Sequence, residues 1–552
     1  MESPGIHALI LVILLSGSTA AHSSGAGQGP PPVYTEAPPT EEKIDLSTAE
    51  EFCPKNSTWS DWRPAQEVLG VEIQQDRNCR PDNPKVVAAA TRGTNNVPTR
   101  TLMETGLAED AVEKGRDLDG DGDPDVINIT LEVSEINGKK PSGSRTNTVR
   151  QEIAPGIAPG FWVFSPKTRG MASEGSTPSE LIRVPSPTLR VEQGDQVSVE
   201  LENTHYMPHT IHFHGVDHGF TSDGEGNDGV PQTSEEPVMP GESRTYEIEP
   251  RQPGTMAYHC HVQPQSHVLM GLNGMFVISP EAENNTLQTF NIGGGKVRNP
   301  SKPVEKRYDQ EYDYIYQDVD RKLHEIVEMS NDPRVVSKMI NRGYDVTERT
   351  ADYFLLNGKS FPYTERESQI IVEKNQEVKL RAINTGKQDI DLHMHGHKPT
   401  ATHRDGVRSR QIQRDVFKLG AFQRLDLVIN TTDNGLDSYG PGVWLMHNHR
   451  ENAVTTDGIA PGGDLSTITY SSYLKPNGEP EMKGVSWKPY FTEAYYEREV
   501  PVWNSYDSTG LFGDIAMLPP SGSMIAATAV AGLMIGLGAG YTARKRWVTG
   551  DA

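Results

Sequence analysis

Six histidines and one cysteine stand close together in two short motifs of this chain. The first motif reads Met-Pro-His209-Thr-Ile-His212-Phe-His214-Gly, and the second reads Tyr-His259-Cys260-His261-Val-Gln-Pro-Gln-Ser-His267. A cysteine thiolate combined with imidazoles is the ligand set of a blue copper site. Residues two apart on a β-strand point to the same side, so each His-x-His pair can face one metal centre. The two motifs therefore predict copper bound at Cys260.

Two more His-x-His pairs occur in the second half of the chain, His393-Met-His395 and His447-Asn-His449. In both halves an alternating stretch typical of a half-buried strand precedes the pairs, and this shared order predicts an internal duplication. One His-x-His pair is usually incidental or structural, but four pairs offer eight imidazoles, enough for about three copper ions. Zinc is the alternative metal, although a structural zinc site closes with four ligands and needs no such array.

The composition favours short strands and many turns. The chain has 552 residues, enough for two or more domains, and it contains 52 glycines and 40 prolines. Its formal net charge of −23 argues against nucleic acid as a partner, because nucleic acid selects basic surfaces. We therefore expect an all-β fold that binds no nucleic acid.

The N-terminal residues are predicted to be an export signal. Residues 8–15 are a short apolar run followed by small residues, as in a signal peptide, although the start carries Glu2 and no basic residue. We assign residues 1–22 to this signal and residues 23–84 to a polar spacer with a small cap. In an exported protein, Cys53 and Cys79 of that cap most simply form a disulfide, and two unpaired buried thiols are the alternative.

The C-terminal residues are predicted to anchor the chain in a membrane. Residues 523–542 are almost wholly apolar, and a basic cluster follows in the tail at residues 543–552. This arrangement is typical of a spanning helix with a cytoplasmic tail, and a buried core helix is the alternative. We expect the protein on the extracellular face of the cell membrane, with residues 486–522 as a juxtamembrane segment before the C-terminal transmembrane helix.

An acidic segment reads Asp117-Leu-Asp119-Gly-Asp121-Gly-Asp123-Pro-Asp125. Carboxylates at every second position around glycines suit a hard cation such as calcium. The full EF-hand pattern is not met, because Asn128 occupies the twelfth position, where a glutamate is expected. The segment predicts a structural calcium loop, with an acidic solvated turn as the alternative.

The four histidine motifs together resemble those of multicopper oxidases, specifically the two-domain kind. The resemblance covers roughly residues 130–475 and implies two cupredoxin-like Greek-key β-barrel domains, at residues 85–280 and 305–485, joined by a linker at 281–304. It also implies about four coppers per chain, namely one type 1 copper, one type 2 copper and a binuclear type 3 pair. In such enzymes a reductant gives single electrons to the type 1 site, and dioxygen is reduced to water at the trinuclear cluster.

The resemblance assigns a role to each motif residue. It gives the type 1 site the ligands His209, Cys260 and His267, with non-ligating Leu272 at the axial position and Met270 as the alternative there. It gives the trinuclear cluster the ligands His212 and His393 for type 2 and His214, His259, His261, His395, His447 and His449 for type 3. Asn448 and Ile390 stand where a type 1 cysteine and histidine would be needed in the second domain, so only the first domain keeps that site.

The resemblance also implies a proton donor, an assembly and partners. Asp223 stands nine residues after His214, where related two-domain enzymes have an acid near the type 2 copper. A turn-capping aspartate before a glycine is the alternative for Asp223. In two-domain members each trinuclear cluster lies between chains, which implies a homotrimer. The expected partners are dioxygen and a small reductant or redox protein.

Two other functions compete with the oxidase. A copper nitrite reductase shares the frame of the first domain, but it has aspartate in place of His212 and no ligand in place of His261. A copper-storage or electron-carrier protein needs the type 1 ligands alone. Histidine at both positions and the complete His447 and His449 pair favour the oxidase. The reductant stays open among phenols, cuprous, ferrous or manganous ion, and a redox protein.

Overall fold

The computed structural model describes residues 65–76, 83–139, 149–170, 181–304, 306–330, 332–475, 478–483 and 485–499. The predicted signal peptide, Cys53, Cys79 and the predicted C-terminal transmembrane helix lie outside these residues. Every helix within the described ranges is too short or too polar to cross a membrane.

A hairpin of β1 (Gln66–Val68) and β2 (Val71–Ile73) precedes a first β-sandwich. The strands that follow are β3 (Val112–Lys114), β4 (Val126–Ile136), β5 (Phe161–Pro166), β6 (Thr188–Glu192), β7 (Gln196–Glu202), β8 (His212–His214), β9 (Thr221–Ser222), β10 (Glu225–Gly226), β11 (Ser243–Ile248), β12 (Gly254–His259), β13 (Asn273–Ser279) and β14 (Phe290–Asn291). One sheet has the order β11-β7-β4-β3 with β5 paired to β4, and the other has the order β14-β6-β13-β12-β8. The short strands β9 and β10 form a separate hairpin.

A second β-sandwich follows in the chain. Its strands are β15 (Gly295–Lys296), β16 (Gln310–Val319), β17 (Tyr353–Leu356), β18 (Ile370–Val372), β19 (Glu377–Asn384), β20 (Ile390–Met394), β21 (Thr400–Arg404), β22 (Val407–Gln413), β23 (Val416–Leu419), β24 (Arg424–Asn430), β25 (Val443–Asn448) and β26 (Ser466–Tyr470). One sheet has the order β15-β16-β19-β24-β21-β22 with β17 paired to β16, and the other has the order β18-β26-β25-β20-β23.

The two sandwiches repeat one strand order. The order β11-β7-β4 in the first matches β24-β19-β16 in the second, and β6-β13-β12-β8 matches β18-β26-β25-β20. The parallel pairs also match, since β4 runs parallel to β7 as β16 does to β19, and β6 runs parallel to β13 as β18 does to β26. The fold is therefore mostly β and cupredoxin-like, as the motifs predicted.

The helices are short and lie outside the sheets. They are α1 (Pro84–Arg92), α2 (Thr99–Thr105), α3 (Pro264–His267), α4 (Arg321–Met329), α5 (Pro333–Lys338), α6 (Thr364–Glu367) and α7 (Glu493–Tyr496). Helix α1 begins where the Asn83 side chain accepts a hydrogen bond from the Lys85 N–H, and it ends at Gly93, whose φ of 88° suits glycine. These helices therefore leave the two sandwiches as the main architecture.

Much of the segment predicted as a linker, residues 281–304, is buried. Strand β14 pairs with β6 of the first sandwich, and β15 pairs with β16 of the second. Arg298 is buried and forms an ion pair with Asp76. The polar composition of the segment predicted exposure to solvent, but pairing with sheets satisfies its backbone groups within the protein.

A buried ionic network joins the two sandwiches. Arg190 of β6 pairs with Glu311 and Asp313 of β16, and Glu311 also pairs with Arg381 of β19. The two neighbouring arginine side chains hold the pKa of the Glu311 carboxyl far below its usual range despite burial. Because removing one partner of a buried ion pair leaves an uncompensated charge, this network fixes the two sandwiches against each other.

Candidate metal centres

Cys260, His209 and His267 meet inside the first sandwich. Cys260 directly follows β12, His209 precedes β8, and His267 is the last residue of α3. The Cys260 Sγ lies 3.7 Å from Nδ1 of His209 and 3.5 Å from Nδ1 of His267, and all three side chains are fully buried. The sequence prediction that these three residues share one site agrees with this geometry.

The donor chemistry of this site fits copper. Burial lowers the pKa of His267 to about 3 and holds the pKa of His209 well below its usual value, so both imidazoles are neutral and keep a lone pair. Burial also raises the pKa of the Cys260 thiol to about 12. Between two neutral imidazoles and away from water, the Cys260 thiol does not readily lose its proton. A bound cation would stabilise the thiolate.

Leu272 and Met270 both lie beside this site. The backbone N–H of Cys260 donates to the carbonyl oxygen of Leu272 at 3.0 Å, and both side chains are fully buried. Met270 has a different partner, since its carbonyl oxygen accepts a hydrogen bond from the backbone N–H of Trp162. Leu272 is thus the one of the two that is hydrogen-bonded directly to the cysteine.

Four histidines form a first quartet on β8 and at the end of β12: His212, His214, His259 and His261. The two strands are antiparallel neighbours that place His212 opposite His259. The ring centroid of His212 lies 5.4 Å from that of His259 and 5.6 Å from that of His261. His259 and His261 flank Cys260, so the quartet adjoins the cysteine site through the backbone.

A carboxylate that the sequence analysis did not single out lies beside this quartet. Nδ1 of His212 donates to the backbone carbonyl oxygen of Asp228 at 2.7 Å and lies 3.7 Å from its Oδ1. The same Oδ1 accepts from Nε2 of His218 at 3.2 Å. By contrast, Asp223 is exposed in the turn between β9 and β10, with a φ of 50°. Both aspartates are followed by a glycine, at residues 223–224 and 228–229, so this local turn signal does not tell which of them lies beside the histidines.

Residues of the second sandwich cover one side of the first quartet. Nη1 of Arg424, at the start of β24, donates to Nδ1 of His214 at 3.1 Å. The ring centroid of Phe422 lies 4.8 Å from that of His259. Phe422 adopts a left-handed backbone with φ of 57°, which is uncommon for a bulky residue, so the surrounding contacts hold it there.

A second quartet lies at the ends of β20 and β25, with one histidine of each pair on the strand and the other just after it: His393, His395, His447 and His449. Strand pairing places His393 opposite His447, and Nε2 of His395 lies 3.2 Å from Nε2 of His447. Donor atoms of His393, His395 and His447 all lie within 4.8 Å of one another. His449 is about half exposed, with 52% of its side chain accessible. The second quartet is therefore a surface group in a single chain.

In the second sandwich, the positions that form the cysteine site of the first are occupied by a hydrogen-bonded asparagine and an isoleucine. Asn448, the counterpart of Cys260, accepts from the N–H of Asp391 at 3.0 Å, and its own N–H donates to Oδ1 of Asp464 at 3.2 Å. Ile390, the counterpart of His209, is buried in the core. Burial raises the pKa of the Asp464 carboxyl to about 7. These residues leave the histidines on β25 without a thiolate neighbour.

The acidic loop lies at the edge of the first sandwich. Oxygen atoms of Asp117, Asp119 and Asp125 approach one another within 4.8 Å, and so do those of Asp119, Asp121 and Glu281. Asp123 is buried, and its Oδ2 accepts from the N–H of Asn285. Burial and the neighbouring carboxylates raise the pKa of Asp123 to about 6 and that of Glu281 to about 7. Glu281 is the member of this group that the sequence analysis missed.

Comparison with known proteins supports a copper-binding class. Residues 182–283 and residues 329–461 each match a sequence model described as multicopper oxidase. Laccase-2 of Thanatephorus cucumeris is 24% identical over 360 residues, which cover 62% of this chain and 51% of that protein. Iron transport multicopper oxidase FET3 of Gibberella zeae is 23% identical over 327 residues, which cover 54% of this chain and 46% of that protein.

Among solved structures, one described as Multicopper Oxidase mgLAC aligns with a TM-score of 0.48 at 26% identity, covering 67% of this chain and 92% of that chain. The chain spans about half the length of the curated relatives it matches. Each sandwich carries one of the two matches to multicopper oxidase models, so both are similar to the domains of this family, whose cofactor is copper. The resemblance predicted from the histidine motifs is confirmed.

Proposed function

We propose that this protein is a laccase-like multicopper oxidase. It would couple the one-electron oxidation of a phenol or metal ion at the Cys260 site to the four-electron reduction of dioxygen to water. The observation that carries the proposal is the presence in one chain of a buried cysteine–histidine site and two histidine quartets, with His259 and His261 directly flanking Cys260. A carrier protein would need only the first of these sites.

Each proposed ligand set has its own task. His209, Cys260 and His267 would hold type 1 copper, His212 and His393 would hold type 2, and the six remaining motif histidines would hold the type 3 pair: His214, His259, His261, His395, His447 and His449. Bound copper supplies one-electron redox chemistry and the activation of dioxygen. The chain supplies a covalent path, because Cys260 is bonded through the backbone to a type 3 ligand on either side.

Asp228 is the proposed proton donor for dioxygen reduction. Reducing dioxygen to water consumes protons, so a carboxyl group beside the cluster has a direct use. The side-chain oxygen of Asp228 approaches both His212 and His218, within 3.7 Å and 3.2 Å. Asp223 was predicted for this role, but it lies in the turn of the β9–β10 hairpin, and the carboxylate beside His212 in the single chain is that of Asp228.

The proposed assembly is a homotrimer in which the first quartet of one chain faces the second quartet of the next. Support comes from the single chain, in whose described residues no ring contact links the two quartets. The second quartet is also partly exposed, as a half-site that is completed by another chain would be. We further propose that the protein is exported and anchored through residues 523–542, as its sequence predicts.

The acidic loop is proposed as a structural calcium site. Its candidate ligands are Asp117, Asp119, Asp121, Asp123 and Asp125, to which the structure adds Glu281. Hard carboxylate oxygens in this number suit calcium rather than copper. The loop lies in the first sandwich apart from the histidine motifs, so its role would be in stability.

A copper nitrite reductase is the alternative function. It would need an aspartate in place of His212 and no ligand in place of His261, whereas this chain has histidine at both positions. The reductant of the oxidase is proposed to be a phenol or ferrous ion, since the relatives include a laccase and an iron transport multicopper oxidase.

The deciding experiment measures copper content, electron paramagnetic resonance and oxygen uptake on the purified protein. We expect about four coppers per chain, an intense blue absorption band and dioxygen consumption with a phenol or with ferrous ion. About two coppers per chain, with turnover of nitrite and no type 3 pair, would overturn the oxidase in favour of the reductase.

A further inference from the structure

His205 is a buried histidine that the proposed copper ligands do not use. Its side chain is only 3% exposed, and its Nδ1 lies 2.8 Å from Nε2 of His209. His209 turns its other ring nitrogen, Nδ1, towards the Sγ of Cys260 at 3.7 Å. His205 therefore touches a proposed type 1 ligand on the side away from the cysteine.

The direction of this hydrogen bond follows from what a ligand histidine must offer. If Nδ1 of His209 gives its lone pair to copper, the proton of the neutral ring resides on Nε2. Nε2–H of His209 then donates, and Nδ1 of His205 accepts. A neutral His205 consequently carries its own proton on Nε2, which lies 3.7 Å from Oε2 of Glu135. The three side chains thus form a row in which a hydrogen bond links the two rings, whereas Nε2 of His205 has no hydrogen-bond partner among the described residues and faces the Glu135 carboxylate from beyond hydrogen-bond distance.

The carboxylate at the end of this row is held in place by two other donors. Oε2 of Glu135 accepts from Nε1 of Trp162 at 3.0 Å and also from the hydroxyl of Tyr206. Glu135 lies on β4 and Trp162 on β5, two strands paired directly with each other. The anchor of the row therefore belongs to the rigid sheet and not to a loop.

Trp162 also packs against the histidines themselves. Its ring centroid lies 4.9 Å from that of His205 and 5.2 Å from that of His267, in edge-on arrangements. Tyr206 covers the other part of His205, with the ring centroids 4.0 Å apart. These contacts restrict the rotation of His205, so the acceptor that it offers to His209 has a fixed direction.

We propose that Glu135 and His205 are positioning residues for the type 1 copper ligand His209, and that they lower the reduction potential of that site. The inference rests on the proposed function. The acceptor that His205 offers, with the negative charge of Glu135 close behind it, makes the His209 ring a stronger donor, which favours the cupric over the cuprous state. If Leu272 is axial, the absence of a sulfur ligand favours the cuprous state and opposes this effect.

The test is a redox titration of the blue absorption band in the full-length copper-loaded protein. His205→Leu removes the acceptor, and we expect a clear shift of the potential to higher values. Glu135→Gln keeps the size of the side chain but removes the charge, and we expect a smaller shift in the same direction. His205→Asn retains an acceptor near the position of Nδ1, and we expect it to restore most of the wild-type potential.

The matched control is Glu132→Gln. Glu132 lies on the same strand and is partly buried, but its Oε2 accepts from Thr168 instead of serving the histidine row. We expect Glu132→Gln to leave the potential unchanged. Wild-type potential in both Glu135→Gln and His205→Leu, even with a lower unfolding temperature, would overturn the proposal and leave His205 a core residue.

The outcome remains decisive if one variant does not fold. Should His205→Leu fail to bind copper, an unshifted Glu135→Gln protein still overturns the proposal, and a shifted one still supports it. Failure of the proposed function is recognised separately, because the wild-type protein would then bind no copper at Cys260 and show no blue band.

Discussion

Nη1 of Arg424 in the second sandwich donates to Nδ1 of His214 in the first at 3.1 Å. This hydrogen bond ties the two domains of one chain together at the edge of the first histidine quartet. The same arginine donates to the carbonyl oxygens of Thr255 and Phe422, so it links β12, β24 and the quartet. The second domain of the chain thus contacts a proposed ligand set that belongs to the first domain.

Replacing this arginine tests that role. Arg424→Met removes three hydrogen bonds from a guanidinium that is only 5% exposed. We expect the free energy of unfolding to fall by about 1–3 kcal/mol, because hydrogen bonds to charged groups carry this much. Arg410→Met is the control, since Arg410 is exposed, and an equal loss in both variants would contradict the prediction.

Asp228 and Asp223 can be separated by paired substitutions. Asp228→Asn removes the carboxyl beside His212 and His218, and we expect dioxygen reduction to slow by about 10²-fold, which is a common contribution of general acid catalysis. Asp223→Asn changes an exposed turn residue and is expected to leave the rate unchanged. Oxygen uptake measures both variants, with the blue band as the check on folding. The opposite pattern would restore Asp223 as the proton donor.

The positions of the proposed ligands could be predicted from the sequence, whereas the groups around them could not. Spacing by two residues on a strand, with a repeated order, is a local signal that predicted His212 and His214 on one side of a strand and Cys260 close to them. Asp228 reaches His212 through the course of a loop, and Arg424 reaches His214 from 210 residues away in sequence. Such contacts depend on how loops and domains pack, which local periodicity does not encode.

The duplication was also predictable, but the segment between the repeats was not. The alternating stretches at residues 190–201 and 370–383 were each predicted as one strand, but each holds two strands of different sheets, β6 and β7 in the first and β18 and β19 in the second. Residues 281–304 read as a linker because they are polar and glycine-rich, yet β14 and β15 lie within them. Short polar strands lack the alternation of apolar and polar residues by which a strand is predicted, because their stability comes from pairing with a neighbouring sheet.

The axial position of the cysteine site can be decided by two substitutions. If Leu272 is axial, Leu272→Met introduces a sulfur ligand, and we expect the reduction potential of the blue band to fall. Met270→Leu would then change little. If Met270 is the ligand instead, Met270→Leu would raise the potential and Leu272→Met would have no effect. A redox titration of the two variants against the wild type distinguishes the cases.

The acidic loop predicts a stability that depends on both pH and calcium. Asp123 and Glu281 have pKa values raised to about 6 and about 7, so the folded protein binds protons that the unfolded chain has released. The stability they contribute is fully present below pH about 4 and is lost as the pH rises through about 7. We expect the unfolding temperature in a chelator to fall over this range, and added calcium to restore it at neutral pH.

Asp119→Asn provides the site-specific check on calcium. Asp119 belongs to both groups of oxygens in the loop, so its loss should abolish the rise in unfolding temperature with calcium. Asp433→Asn, at an exposed loop of the second sandwich, is the control and should respond to calcium like the wild type. A calcium response that survives Asp119→Asn would contradict the predicted site.

The proposed assembly of the trinuclear cluster between chains predicts complementation between two inactive variants. His212→Ala damages the first quartet and His447→Ala damages the second, and each homotrimer should be unable to reduce dioxygen. Each proposed cluster takes its first quartet from one chain and its second quartet from the next chain. When equal amounts of both chains are coexpressed, each quartet is intact in about half of the positions, so about a quarter of the clusters would combine two intact quartets. Oxygen uptake should therefore recover to about a quarter of the wild-type rate.

Coexpression of His447→Ala with His449→Ala is the control and should restore nothing, since both changes lie in the same quartet. If the first pair also stays inactive in verified mixed trimers, the clusters do not lie between chains.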